Sequence, residues 1–156
     1  MEKRTFAKKC AKCRQKMMAL ATIPYTIRID HDGRKYDVSI PALSVPKCGN
    51  CGAISIDADA EKQISDAFHK QARLLTPEEI LQGREALGLT QKEMADLLGI
   101  ADATLSRWET GIQVQQRSFD KFLRAFFASP ALRKYFQSLQ TADAGGAAVR
   151  NVAAVK

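Results

Sequence analysis

The chain has 156 residues, 46% of them hydrophobic, with 24 Lys and Arg against 17 Asp and Glu. That length holds one ordinary domain or two small ones, and a small domain gains from a metal because its core alone stabilises it poorly. No apolar run approaches the roughly 18 residues of a membrane span, and the opening MEKRTFAKKCAKCRQK lacks the apolar segment of a secretory signal. An intracellular, cytoplasmic protein without a membrane partner is expected. The net charge of +7 suits a nucleic-acid partner but is unevenly placed. Residues 1–16 carry seven basic side chains against one acidic, whereas residues 76–140 hold eight of each. The basic start reads first as a solvated terminus, and second as a place for DNA phosphates or an acidic partner.

After the basic start come Cys10-Ala-Lys-Cys13 and two β-branched stretches, ATIPYTIRI and RKYDVSIPAL. Asp32-Gly33 between them is a hairpin signal. Cys48-Gly-Asn-Cys51-Gly52 follows, and AISI reads as one more short strand. Residues 1–56 are therefore expected to form a small antiparallel β domain with a cysteine pair at each end. From 57 to 75, Ala60, Ile64, Ala67, Phe68, Ala72 and Leu75 recur at helical spacing, which predicts a connecting helix. Thr76-Pro77-Glu78-Glu79 is a capping box with proline at the first helical position, so a new domain starts near Thr76. Its first helix carries Ile80, Leu81 and Leu87 and ends at Gly88. Two short helices follow within LTQKEMADLLGIADATLSRWETG, then two more over 118–128 and 130–139. Residues 76–140 form this all-α, five-helix domain. The tail over 141–156 has little to bury and is expected to be disordered.

All four cysteines fall into two C-x-x-C pairs. One tight turn with that spacing aims two sulfurs at a single ion, and two such turns complete a tetrahedral site of Cys10, Cys13, Cys48 and Cys51. Gly49 and Gly52 supply backbone freedom to the second turn. Four sulfurs close the coordination shell, so one structural zinc per chain is expected, with iron allowed in the same cage. Disulfides do not suit a reducing compartment, and a thioredoxin-like motif needs a helix that is not evident here. His31, in a turn, and His69, on a helix, read as surface residues. No nucleophile with a base, no paired carboxylates and no phosphate cradle stand out, so the chain is not expected to be an enzyme.

In the fourth stretch Met94, Ala95 and Leu98 face inward from one helix, Gly99 permits a tight turn, Ile100 plugs it, and Leu105 and Trp108 are buried by the next. This leaves Asp102, Ala103, Ser106 and Arg107 facing out, the positions that enter a major groove if the second helix reads DNA. The segment resembles the Xre/Cro-type helix-turn-helix at Gln91, Ala95, Gly99, Ile100, Thr104, Ser106, Arg107, Trp108, Glu109 and Gly111. The resemblance implies a phosphate contact at Gln91 with Thr90 nearby, and an Arg84–Glu109 pair locking the first helix to the third. Arg107 is the main base-reading residue, by two hydrogen bonds to guanine, with a phosphate clamp as the alternative. Thr104 and Ser106 contact bases or phosphates. Asp102 either accepts from cytosine or serves as an N-terminal helix charge. Arg117 and Lys121 are backbone contacts. A lone motif reads too few base pairs to be selective, so a homodimer on an inverted-repeat operator is expected. Phe119, Phe126, Phe127, Tyr135 and Phe136 supply more apolar surface than one helix face needs, which points to a dimerisation face.

The order of cysteine knuckles, hairpin, helix and Xre-type domain is similar to the MqsA antitoxin family, with its YgiT-type zinc finger. IPYTIR, ISDAFHKQ, LTQKEMADLLG, SRWETG and SPALRKYF carry the likeness, over residues 10–139. The resemblance implies an α+β protein that represses its own operon. It further implies that the zinc domain neutralises a partner toxin, an mRNA-cleaving ribonuclease, in a type II toxin–antitoxin pair. Ala103 stands where the founding member has a base-reading asparagine, which implies a different target sequence. The alternative is a stand-alone Xre-type regulator with a structural zinc domain.

Overall fold

The structure, a computed structural model, describes residues 9–15 and 18–144. The chain divides into two compact units, Met1–Leu74 and Leu75–Lys156. In the first, β1 (Met18–His31) pairs antiparallel with β2 (Arg34–Cys48). Asp32 and Gly33 join them with φ of 52° and 72°, the doubly left-handed turn whose twist matches a two-residue hairpin. The register slips between Ile23 and Tyr25, where Pro24 of β1 faces Pro41 and Ala42 of β2. Neither proline can donate to a ladder, so a bulge is where they do least harm. The expected third strand at AISI is a single bridge, Lys47 to Ile54.

Helix α1 (Ala58–Ala72) packs on β2 and belongs to the first unit, although its periodicity alone reads as a connector. Asp57 caps its start by accepting from the Ala60 amide, and Arg73 ends it in the left-handed region at φ 57°. Leu43, Val45 and Ala60 form the buried centre, with Ile23, Tyr25, Ile40 and Ile64 against them. Gln63 exchanges two hydrogen bonds with the backbone of Ser44, and Gln71 donates to the Asp37 carbonyl. The helix thereby satisfies outward-pointing backbone groups of β2 that a free sheet edge would leave to water. His69 is buried, not at the surface, because its ring packs beside Phe68 while Nδ1 meets the Ser65 carbonyl at 2.7 Å. His31 lies at the end of β1, half-buried, edge-on to Phe68.

The second unit holds α2 (Pro77–Ala86), α3 (Gln91–Leu98), α4 (Asp102–Glu109), α5 (Arg117–Ala128) and α6 (Pro130–Ala144). Capping boxes at Thr76/Glu79 and Thr90/Glu93 start α2 and α3, and Gly99 stops α3 at φ 69°. Leu75, Ile80, Met94, Ala95, Leu98, Leu105, Trp108, Leu123 and Phe126 make one continuous core. Asp120, buried on α5, accepts from the Leu75 amide at 2.6 Å, and Gln115 donates to the Leu75 carbonyl. Helix α6 runs to Ala144, five residues past the expected Leu139. The remaining tail, for which disorder is expected, lies outside the described residues.

Candidate metal centre and nucleic-acid interface

The hairpin brings the two cysteine pairs together, because β1 begins just after the first and β2 ends on Cys48. This absorbs the 34 residues between the pairs, a gap wide for a zinc knuckle. The two turns repeat one geometry. Cys10 N–H donates to the Gln15 carbonyl at 2.9 Å and Arg14 N–H to the Cys10 carbonyl at 2.8 Å; Cys48 N–H donates to Ala53 at 2.8 Å and Gly52 N–H to Cys48 at 2.9 Å. The residue after each second cysteine is left-handed, Arg14 at φ 60° and Gly52 at φ 70°. The left-handed position is therefore 52 and not 49; glycine adopts it without strain, and its counterpart in the first turn is an arginine.

The four sulfurs lie within 4.8 Å of one another, with 3.6 Å between Cys10 and Cys51 and between Cys13 and Cys48. A tetrahedron with Zn–S bonds of about 2.3 Å has sulfur–sulfur edges of about 3.8 Å. Backbone amides aim at the sulfurs. The Gln15 amide, helped by the Asn50 side chain, pulls the Cys13 thiol down to about 6. The Cys13 amide lowers Cys10. At Cys51 the Ala53 amide works the other way, but burial and three neighbouring sulfurs push the thiol up to about 11. Four thiolates this close repel one another, and a divalent cation offsets that repulsion. The donor set thus fits a single structural zinc, held by Cys10, Cys13, Cys48 and Cys51. Met18 and Ala53 pack against the cage.

In the second unit α3 and α4 enclose a turn at Gly99-Ile100. Asp102, Ala103 and Arg107 are exposed on α4, and Thr104 and Ser106 half-buried. The Arg107 guanidinium has no partner among the described residues. Asp102 Oδ1 accepts from the Ala103 amide at 2.8 Å, a first-turn contact. A recess of about 450 Å³ between the helix starts is lined by Thr90, Gln91, Lys92, Asp102, Ala103 and Ser106. The Thr90 hydroxyl accepts from the Glu93 amide and donates to the Glu93 carboxylate at 2.7 Å. Its one hydrogen is spent, so the structure gives Thr90 a capping role where a phosphate contact was expected. Arg117 starts α5, half-buried, and Lys121 is exposed one turn later. Arg84 and Glu109 pair at 2.6 Å with side chains 12% and 3% exposed. Sequence reasoning missed that Gln91 joins them, donating to Glu109 at 2.7 Å. Two residues 18 apart, both polar, give no pattern that shows this.

The expected dimerisation set divides. Phe126 is 0% exposed and belongs to the core, and the Phe127 ring packs on the backbone of Gly83. Phe126 therefore cannot face a second copy, and Phe127 is half-buried. Phe119 tilts on Trp108, and Phe136 tilts on Phe122 and stacks on Phe126, both Phe119 and Phe136 being half-buried. Tyr135 is 58% exposed. The excess of aromatic residues in the sequence is mostly core, because α5 is covered by α6 as well as by α2.

The Helix-turn-helix family matches residues 80–132. Antitoxin MqsA of Escherichia coli (strain K12) is 32% identical over 135 residues, covering 80% of this chain and 95% of that protein. The chain belongs to the MqsA antitoxin family. A match of that length includes parts of both units. As a member of this family the chain is a DNA-binding helix-turn-helix transcription factor with a structural zinc site, and not an enzyme. Among the described residues no helix is long and apolar enough to cross a membrane.

Proposed function

We propose that the protein acts in the cytoplasm as the antitoxin of a type II pair, repressing its own operon as a dimer and neutralising a ribonuclease toxin through the zinc unit. The observation that carries this reading is the match to Antitoxin MqsA across 95% of that protein's length. Operator reading falls to α4. Arg107 donates two hydrogen bonds to a guanine, Ser106 and Thr104 make shorter contacts, and Asp102 accepts from a cytosine or acts only as a helix charge. Ala103 offers a methyl group and no hydrogen bond, so its base pair is read by shape or by a thymine methyl. Arg117 and Lys121 hold phosphates. Dimerisation uses Tyr135 and the apolar shelf of Leu98, Phe119 and Phe122.

The test is to express the neighbouring open reading frame alone and together with this chain. Growth arrest by the neighbour, relieved by co-expression and accompanied by a near one-to-one complex, is the expected result. A harmless neighbour, with the protein recovered only with itself and DNA, would replace the antitoxin reading by that of a stand-alone regulator. For the DNA face, Arg107→Ala should remove the preference for the operator over random DNA, a bidentate contact being worth about 1–3 kcal/mol of discrimination. Its side chain is exposed, so the fold is untouched, and unchanged selectivity in a competition assay would acquit it.

A further inference from the structure

Helix α4 ends on Glu109 and α3 begins on Gln91, and a single carboxylate ties them to α2. Arg84 Nε donates to Glu109 Oε1 at 2.6 Å and Arg84 Nη2 to Oε2 at 3.0 Å, while Nη1 donates to the Leu89 carbonyl at 2.8 Å. Gln91 Nε2 donates to the same Oε2 at 2.7 Å. An ionised carboxylate only accepts, so it receives the nitrogen end of the Gln91 amide and rejects the oxygen end. A flipped amide would set oxygen against oxygen in a pocket where the carboxylate is almost fully buried. The Gln91 side chain is thus held one way round, with one N–H spent inward and the second N–H left for the recess it lines.

Its neighbours on that rim are differently placed. Thr90 has committed its hydroxyl to Glu93, and Lys92 leans to Asp96 at 3.4 Å on the exposed surface. Gln91 is therefore the rim donor whose direction the fold itself sets. Because Arg84 covers both carboxylate oxygens, the arrangement supplies an acceptor to Gln91 without presenting a bare negative charge to DNA.

We propose that Glu109 is a positioning residue for DNA binding: it fixes the Gln91 side-chain amide so that the remaining N–H meets a backbone phosphate when α4 enters the major groove. The inference rests on the reading of Gln91 as phosphate-facing. Holding the amide before DNA arrives spares its ordering cost on binding, and loss of one hydrogen bond to a charged phosphate lowers affinity by about tenfold.

The experiment uses the full chain and a duplex it enriches from a random pool, together with copies of that duplex carrying a neutral methylphosphonate at one linkage each. Wild type should lose about tenfold at one particular linkage. Gln91→Ala should lose as much on the unmodified duplex and be indifferent to that linkage. Glu109→Gln should behave like Gln91→Ala, and the double variant should be no worse than either, the non-additivity of two residues serving one contact. Gln91→Ala at wild-type affinity with wild-type linkage sensitivity overturns the phosphate reading of Gln91. A weakened Gln91→Ala beside a Glu109→Gln variant that keeps wild-type affinity, or losses that add in the double variant, overturn the positioning role alone. If Glu109→Gln does not fold, hydrogen exchange of the Gln91 side-chain amide in wild type decides. One proton should be protected in the free protein and the other only once the duplex is added; equal exposure of both beforehand overturns the proposal.

Discussion

At Gly83 the backbone of α2 touches an aromatic ring. A Cβ built there would stand 2.7 Å from the Phe127 ring, closer than any carbon pair tolerates. Glycine inside a helix costs about 1 kcal/mol against alanine, so propensity alone favours Gly83→Ala. Packing reverses that sign. The substitution should destabilise the second unit by about 1–3 kcal/mol in urea titration, the range for overpacking a core, and an unchanged midpoint would mean the ring swings away freely. The two knuckles offer a matched pair at the same scale. Gly52→Ala places a side chain in open space but at φ 70°, and should cost about 1 kcal/mol and weaken zinc retention. Arg14→Gly, at the equivalent φ of 60°, should leave zinc retention intact, since glycine adopts that conformation freely. A chelator competition separates these outcomes, and equal losses in both variants would show that the two turns are not equivalent. Gly52 was legible because CGNCG places a glycine beside the ligand. Nothing in CAKCR marks Arg14, and only the matching hydrogen bonds reveal its conformation.

Among the elements, the helices were legible because their ends are written in side chains. Thr76-Pro77-Glu79 starts a helix and Gly99 stops one as their chemistry dictates, and the structure adds a second capping box at Thr90 and Glu93. The length of α6 is less legible, since no glycine or proline falls between Leu139 and Ala144 to mark an end. The bulge, too, is written in the spacing of the apolar residues. In β2 the inward row runs Tyr36, Val38, Ile40 and then jumps to Leu43 and Val45, a slip of one residue at Pro41-Ala42. The Arg84–Glu109 pair, expected only from family likeness, locks α2 to α4 through two parallel hydrogen bonds. Burial decides its worth. Arg84→Met would strand a carboxylate that is 3% exposed, and should destabilise the helical unit by about 3–5 kcal/mol. Replacing both partners, Arg84→Met with Glu109→Leu, should recover most of that loss, because neither then buries an unpaired charge. Thermal unfolding of the single and double variants measures this, and a double variant as unstable as the single would show that the pair shapes the interface instead of merely filling it.

On the scale of the whole molecule, each of the two units has a core of its own, and the cores are unequal. The helical unit closes around one cluster of nine buried apolar residues, whereas the first unit buries Val38, Leu43, Val45, Ala60, Phe68, Ala72 and Leu74 and holds its sulfur cage in a separate small cluster. A unit of two strands and one helix is small enough to draw folding free energy from its metal, so removing zinc should unfold the first unit and spare the second. Amide spectra after chelation should lose dispersed resonances from residues 9–74 and keep those from 75–144. Acid should act in the same direction, and the thiols set the window. Zinc binds thiolates, and Cys51, pushed up to about 11, still carries its proton at neutral pH and must release it. Cys13, at about 6, has mostly lost its proton at pH 7 and regains it below that point. Zinc affinity should therefore fall by at least about tenfold per pH unit as pH drops from 8 to 6, and more steeply below 6 as Cys13 also takes up a proton. A chelating dye titrated at several pH values reads this slope directly. A flat profile would mean that all four thiols are already ionised in the metal-free protein, and that the amides of the two knuckles, not the zinc, hold their charge.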